Sequence, residues 1–187
     1  MFLNMKVGTK LFVGFLSLAL LGAIVSSIGI VNMSRIDDLA YQMYEKELLG
    51  LSHIKEANIN LIYAGRGRAQ FLLSTTEQER EMHRANIQKY TSAIKEHLTN
   101  AKPLFVSDEA KRIFAEFETI SVRYDQELNK TLALASAEPL MQRNEALSAA
   151  LREARMHANA LDNLLTLLAK QKEARAKAAS KETTDVY

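Results

Sequence analysis

The sequence has no cysteine and no tryptophan, and only two prolines among its 187 residues. Without cysteine there are no disulfides, no thiolate metal sites and no thiol redox chemistry, so a domain outside the cytoplasm must be held together by packing alone. All seven glycines lie at or before Gly67, which leaves the last 120 residues without one. Because β-rich folds need glycine at their turns, this distribution predicts long helices.

The charges of the chain nearly cancel. The net charge is +2, which Lys6 and Lys10 account for, so the remainder of the chain is formally neutral. Binding to DNA or RNA needs a basic patch. We therefore expect no nucleic-acid partner.

Residues 11–31 form an apolar stretch of twenty-one residues without a charge. As a helix it is ~32 Å long, which is enough to cross the ~30 Å hydrocarbon core of a bilayer. Two lysines precede the stretch and no basic residue follows it immediately, which favours a cytoplasmic N-terminus. The sequence therefore predicts a cytoplasmic segment at 1–10, a transmembrane helix at 11–33, and a domain outside the cytoplasm after it.

A cleavable signal peptide is the alternative interpretation of this stretch. Its apolar part is usually only 7–15 residues long and ends at a small-x-small cleavage site. Here the apolar residues continue to Val31, and no Ala-x-Ala follows. An uncleaved anchor is therefore favoured, and a true start at Met5 would not move it.

The rest of the chain has apolar residues at alternating steps of three and four, which is typical of bundle helices. Thr76 with Glu79 forms a capping-box pattern, and Ser107 is a good N-cap for a following helix. Short loops make consecutive helices antiparallel. The prediction is an all-α, up-down-up-down antiparallel four-helix bundle, its first helix continuous with the transmembrane helix, with helices at about 34–73, 77–101, 108–133 and 139–180.

The fourth predicted helix points back toward the membrane. The tail at 181–187 is therefore expected to lead to a second transmembrane helix that is missing from this chain. On this interpretation the chain is a shortened version of a longer protein.

The chain resembles the N-terminal part of bacterial methyl-accepting chemotaxis proteins. The resemblance depends on the start at residues 5–11, the apolar stretch, the segment 65–74 (Gly-Arg-Gly-Arg-Ala-Gln-Phe-Leu-Leu-Ser), and the closing residues 178–187. It implies a periplasmic ligand-binding bundle, usually a homodimer, in an inner-membrane receptor that acts through a cytoplasmic adaptor and kinase. The same bundle also precedes some histidine kinases and diguanylate cyclases.

The topology brings the turns near residues 74–77 and 134–139 to the end of the bundle far from the membrane. Arg68 occupies a position in the apolar seam of the first helix where leucine is expected, and a buried arginine is costly unless it is paired. Arg66 lies on the opposite side of that helix, so a core and a dimer interface together could use both residues. The candidate contacts of a small anionic ligand, an organic acid or an amino acid, are Arg66, Arg68, Tyr124, Gln142 and Arg143.

Plainer interpretations stand beside these candidates. Arg68 can extend past the helix end to solvent while Arg66 is simply solvated, and Tyr124 is favoured as a core residue. The resemblance implies a threonine directly after a proline at the start of the fourth helix of amino-acid receptors. Here Leu140 follows Pro139, so an organic or aromatic acid is at least as good a candidate.

Nothing in the sequence predicts a metal site, a cofactor or a catalytic activity. The four histidines show no spacing of i and i+4 and no second ligand nearby in sequence, and no nucleophile elbow or phosphate loop is present. Three hypotheses remain: a chemoreceptor sensor, the same sensor on a histidine kinase or cyclase, and a ligand-free structural bundle. The sequence leaves open the ligand, the oligomeric state, and whether a binding protein delivers the ligand.

Overall fold

The computed structural model describes residues 6–185. Over these residues the chain is helical throughout, apart from short connections, with no strand. The elements are α1 (Val7–Gln42), a π-helical segment (Met43–Leu48), α2 (Leu49–Leu73), α3 (Glu77–Ala101), a 3₁₀ turn (Lys102–Leu104), α4 (Asp108–Ala137) and α5 (Glu145–Asp185). The all-α four-helix bundle is confirmed, with α2, α3, α4 and α5 as its helices.

α1, the π-helical segment and α2 form one uninterrupted helix of 67 residues, Val7–Leu73. Its N-terminal part contains a window with a mean hydropathy of 2.4 and no buried residue, so it is long and apolar enough to cross a membrane. The predicted continuity between the apolar helix and the first bundle helix is therefore confirmed. Residues 1–5 of the expected cytoplasmic segment lie outside the described part of the chain.

Two of the predicted caps start the middle helices. The Thr76 side chain accepts a hydrogen bond from the Glu79 backbone N–H at 3.2 Å. The Glu79 carboxylate in turn accepts from the backbone N–H of Thr75 at 2.8 Å, which helps to hold its pKa below the ordinary value. Ser107 accepts from the Ala110 N–H at 3.2 Å and caps α4.

The connection between α4 and α5 differs from the prediction. α4 continues to Ala137 instead of ending near 133, and α5 begins at Glu145 instead of 139. Met141 has a left-handed backbone (φ 65°), which no helix can continue through. Asn144 then caps α5, because its side-chain oxygen accepts from the Leu147 N–H at 2.8 Å.

The C-terminal tail was expected to lose its helical pattern after residue 180. α5 instead continues through Asp185, and the last two residues of the expected tail, 186 and 187, lie outside the described residues. On the opposite helix, Arg35 Nη2 lies 2.6 Å from Glu182 Oε1. The end of α5 therefore returns to the level at which the apolar part of α1 ends.

The core is formed by apolar side chains from all four bundle helices. Each fully buried leucine, isoleucine or phenylalanine contributes about 1.5–3 kcal/mol through removal of its surface from water. The principal core residues are Ile54, Leu61, Phe71, Ile87, Ile94, Phe114, Phe117, Leu128, Leu161, Leu165 and Leu168.

Two neighbouring glycines of α2 have opposite surroundings. A β-carbon placed on Gly67 would lie 3.0 Å from Ile87 Cγ1, so glycine at this position allows α2 and α3 to approach closely without displacing the Ile87 side chain. A β-carbon placed on Gly65 would meet no atom within 4 Å. Gly65 therefore weakens the helix without permitting a contact in this protomer.

These surroundings predict opposite effects of alanine at the two positions. Gly65→Ala should stabilise the bundle by about 1 kcal/mol, because alanine is the better helix former. Gly67→Ala should destabilise the bundle, because the Ile87 side chain must move to make room, and this cost outweighs the better helix propensity of alanine. Thermal unfolding followed by far-ultraviolet circular dichroism measures both, and equal shifts of the two melting temperatures would contradict the packing described here.

Candidate ligand-binding site

The five predicted ligand contacts do not form one cluster. Arg68 and Tyr124 are buried in the core of the bundle, whereas Arg66 lies exposed on the outer face of α2. Gln142 and Arg143 are exposed in the loop between α4 and α5 and not in the first turn of a helix. Within residues 6–185, the structure brings together only Arg68 and Tyr124 among the five.

Arg68 is a buried cation without a counter-ion. Arg68 is 8% exposed to solvent, and its Nη1 atom has no hydrogen-bond partner. No carboxylate among the described residues forms an ion pair with it. Burial lowers the pKa of Arg68, an effect that Tyr124 opposes and the nearby Arg155 reinforces.

Tyr124 of α4 faces the same region of the core. It is 2% exposed, and its hydroxyl is buried without a hydrogen-bond partner. Burial raises the pKa of this phenol, while the Arg68 cation acts in the opposite direction. A guanidinium and a hydroxyl that each lack an acceptor make an interior position suited to an anion.

Unlike Arg68, the two arginines near the start of α3 have interaction partners. Phe71 is fully buried, and the guanidinium carbons of Arg80 and Arg84 lie 5.9 and 5.2 Å from its ring centroid. Arg80 Nη2 donates to the carbonyl oxygen of Glu138 at 3.3 Å, and Arg84 Nη2 donates to Ser136 Oγ at 2.7 Å. These contacts join the start of α3 to the end of α4 at the membrane-distal end.

The outer face of α2 presents apolar side chains to solvent. Ile59, Ile62 and Tyr63 are exposed on the same face as Arg66, which makes no hydrogen bond or ion pair within the described chain. The Tyr63 ring packs against that of Tyr90 of α3, with 5.3 Å between centroids. Arg66 and these apolar side chains therefore share one solvent-exposed face of α2.

At the other end of the bundle, Lys172 of α5 is buried opposite the π-helical segment. Its Nζ lies 3.0 Å from Glu47 Oε2 and donates to the carbonyl oxygen of Leu104 at 2.6 Å. It also lies 4.4 Å from the ring centroid of Phe105. Burial lowers the pKa of Lys172, and Glu47 opposes that shift.

Gly50 makes room for Lys172. A β-carbon on Gly50 would lie 2.6 Å from Lys172 Cε, so the absence of a side chain in α2 lets the lysine cross the helix surface. Further toward the distal end, Asn58 Nδ2 donates to Asp162 Oδ1 at 2.6 Å. A polar contact of this kind between α2 and α5 favours one helix register over others.

Two histidines that are far apart in sequence lie side by side. His53 Nδ1 of α2 and His97 Nδ1 of α3 are 3.3 Å apart. Helix packing creates this pair, which sequence spacing did not reveal. No group of three or more potential metal ligands occurs in the part of the chain that the structure describes, so the pair has no further ligand.

Sequence reasoning did not identify the Lys172–Glu47 pair. The lysine lies in the charged stretch 170–177, a pattern that favours a solvated helix face, yet it is 1% exposed. An isolated helical glycine, Gly50, was the one available signal, because such glycines often mark a close approach.

One comparison with known proteins gives a match. A family model described as a four helix bundle sensory module for signal transduction covers residues 4–187. Searches of curated proteins and of solved structures found no match to this chain.

The different environments of Arg68 and Arg80 predict opposite effects of methionine. Arg68→Met removes a buried charge without a counter-ion and should raise the free energy of unfolding by about 1–3 kcal/mol. Arg80→Met removes the contact with Glu138 and an ion pair with Glu77 (3.3 Å). It should lower the free energy of unfolding by about 1–3 kcal/mol. Chemical denaturation measures both variants, and a destabilised Arg68→Met would mean that the native arginine has a stabilising partner.

Lys172→Met should destabilise the bundle by about 3 kcal/mol, because the Glu47 carboxylate is left largely buried without its cation. The matched control is Lys170→Met, an exposed lysine of the same helix, which should change stability by less than about 0.5 kcal/mol. Adding Glu47→Gln to Lys172→Met should recover part of the loss. Equal effects of the two lysine variants in chemical denaturation would contradict the buried pair.

Proposed function

Because the chain belongs to the family of four-helix-bundle sensory modules for signal transduction, we propose that it is the ligand-sensing region of a transmembrane chemoreceptor. In this proposal α1 anchors the chain in the inner (cytoplasmic) membrane, with the N-terminus in the cytoplasm and the bundle in the periplasm. Lys6 and Lys10 on the N-terminal side of the apolar helix support that orientation.

The sensed molecule is a small anionic ligand, an organic acid or an amino acid. The observation that carries this proposal is Arg68, a buried cation without a carboxylate partner among the described residues. A natural bundle gains nothing in stability from such a charge, whereas a site for an anion needs it. The family describes sensing and not catalysis, so the chain would bind its ligand without transforming it.

The receptor works as a homodimer that binds at its membrane-distal half. The exposed apolar face of α2, with Ile59, Ile62 and Tyr63, supports a subunit interface. Arg66 on that face and the exposed Gln142 and Arg143 near the distal end would then be available to a ligand held between subunits.

Signal transmission follows α5, which would act as the output helix toward a cytoplasmic adaptor and kinase. Three polar contacts hold α5 against the continuous first helix: Asn58–Asp162, Lys172–Glu47 and Arg35–Glu182. A shift of α5 along its axis must break or exchange them, which favours discrete positions over a continuous range. The ligand changes the populations of these positions only through its different affinity for them.

The family description does not name an output domain. The same sensing half therefore fits a histidine kinase or a diguanylate cyclase as well as a chemoreceptor. A ligand-free structural bundle remains the alternative of a different class.

Thermal unfolding of the full chain in lipid nanodiscs should separate these alternatives. At least one acid from a panel of amino acids, di- and tricarboxylates and aromatic acids should raise the melting temperature, since a ligand at 100 times its Kd adds about 2.7 kcal/mol. Arg68→Ala should weaken that shift, and the exposed Arg123→Ala should leave it unchanged. Arg66→Ala should weaken it only if the ligand is held between subunits. The ligand-free bundle is supported instead if no acid has an effect.

A further inference from the structure

A groove separates α3 from α4 along their membrane-proximal halves. Its volume is about 580 Å³, within the range of about 300–1,000 Å³ that is usual for small-molecule pockets. Two ion pairs cross its mouth. Lys95 Nζ of α3 lies 2.7 Å from Asp125 Oδ2 of α4, and Lys102 Nζ of the 3₁₀ turn lies 2.6 Å from Glu118 Oε1 of α4. Neither of the two helices fills the space between them.

The wall of the groove is apolar. Ile94 and Leu98 line it from α3, Phe114 and Phe117 from α4, and Leu161 from α5. Aromatic and aliphatic side chains of this kind bind an apolar body through burial of surface. Leu161 is fully buried and belongs to the proposed output helix, so an occupant of the groove would contact α5 directly.

The groove also has one polar group that lacks a partner. Tyr124 lines it, and the buried Tyr124 hydroxyl has no hydrogen-bond acceptor. Across the core, the Arg68 guanidinium interacts electrostatically with that hydroxyl, and its Nη1 is equally without a partner. An unpaired donor in a low-dielectric interior is costly, and the cost falls when an acceptor binds.

The balance of charge limits what the groove can hold. At its mouth the two lysines and two carboxylates form ion pairs with each other and leave no net charge. Arg68 does not line the groove, but it interacts with Tyr124 across the core and is a buried cation without a counter-ion among the described residues. A single carboxylate would be compensated, whereas a second one would have to lie among phenylalanine and leucine side chains.

We propose that the α3–α4 groove binds a small monocarboxylic acid with an apolar body. The ring or chain of the ligand packs against Phe114 and Phe117, its carboxylate accepts a hydrogen bond from Tyr124, and Arg68 supplies the opposite charge. This inference rests on the proposed function, because it names the class of the sensed anion. It differs in location, since it places the ligand inside one subunit and closer to the membrane than a site at the distal dimer interface.

Titration calorimetry on the full chain in lipid nanodiscs tests the inference, with empty nanodiscs as the blank. The probes are benzoate and hexanoate as monocarboxylates, succinate as a dicarboxylate, and benzyl alcohol as an uncharged ring. Benzoate or hexanoate should bind more tightly than both succinate and benzyl alcohol.

Two variants examine the groove itself. Tyr124→Phe should weaken binding of the monocarboxylate about tenfold, because one hydrogen bond is lost, without lowering the melting temperature of the free protein. Ser121→Phe fills the groove from α4 and should weaken binding at least about tenfold. Thr119→Phe is the matched control. Like Ser121, Thr119 donates its hydroxyl to a backbone carbonyl oxygen of the preceding turn of α4, but the Thr119 side chain is exposed.

The outcomes separate the inference from the proposed function. Loss of binding in Tyr124→Phe and Ser121→Phe, with binding retained in Thr119→Phe and Arg66→Ala, supports the groove. If binding is lost in Arg66→Ala and retained in both groove variants, the inference is wrong and the proposed function still holds. The same conclusion follows if succinate is the only probe that binds. If Ser121→Phe changes the oligomeric state and not the affinity, a second copy of the chain covers the groove and the inference is wrong. If no acid of any class binds, the proposed function fails with it.

Discussion

The structure depends on one constraint, the unbroken helix Val7–Leu73. Its backbone hydrogen bonds continue from the apolar N-terminal part through the π-helical segment into the bundle, so both ends belong to one stiff element. α3 and α5 pack against its second half, and α4 packs mainly against α5. α3 approaches the unbroken helix closely at Gly67, and α5 lies along it through Asn58–Asp162 and Lys172–Glu47. A change at the distal end therefore has a direct mechanical route along this helix toward its apolar part.

Two of the three buried cations among the described residues, Lys172 and Arg68, illustrate different uses of charge. Lys172 is paired with Glu47 and bonded to the Leu104 carbonyl, so its burial is compensated and it fixes how α5 meets the π-helical segment. Arg68 has no such compensation in the described chain. Paired buried charges usually specify an arrangement, whereas an unpaired one lowers stability. Natural proteins keep the second kind mainly where binding needs it. In our proposal, the groove beside Tyr124 would hold the anion that compensates Arg68.

Much of the fold could be predicted from local chemistry. Glycine-free, alanine- and leucine-rich tracts indicated long helices, and the side chains of Thr76 and Ser107 cap α3 and α4 as expected. The start of the last helix could not be predicted in the same way. Pro139 is a good first helical residue, but Met141 adopts a left-handed backbone and Asn144 provides the stronger cap. Propensity alone does not decide between two competing starts, because the packing of the loop determines which one forms.

The candidate site, like the fold, could be predicted only in part from the sequence. The sequence by itself determined the helical class, the apolar span and the anomaly of an arginine in the seam of the first helix, since each follows from residue type and periodicity within a single element. Only the tertiary structure decided that Arg68 meets Tyr124, that Arg66 lies on the outer face, that Lys172 is buried, and that α3 and α4 leave a groove. The physical reason is that these are relations between helices. They depend on the rotation and spacing at which the helices pack, which the periodicity of one helix leaves open.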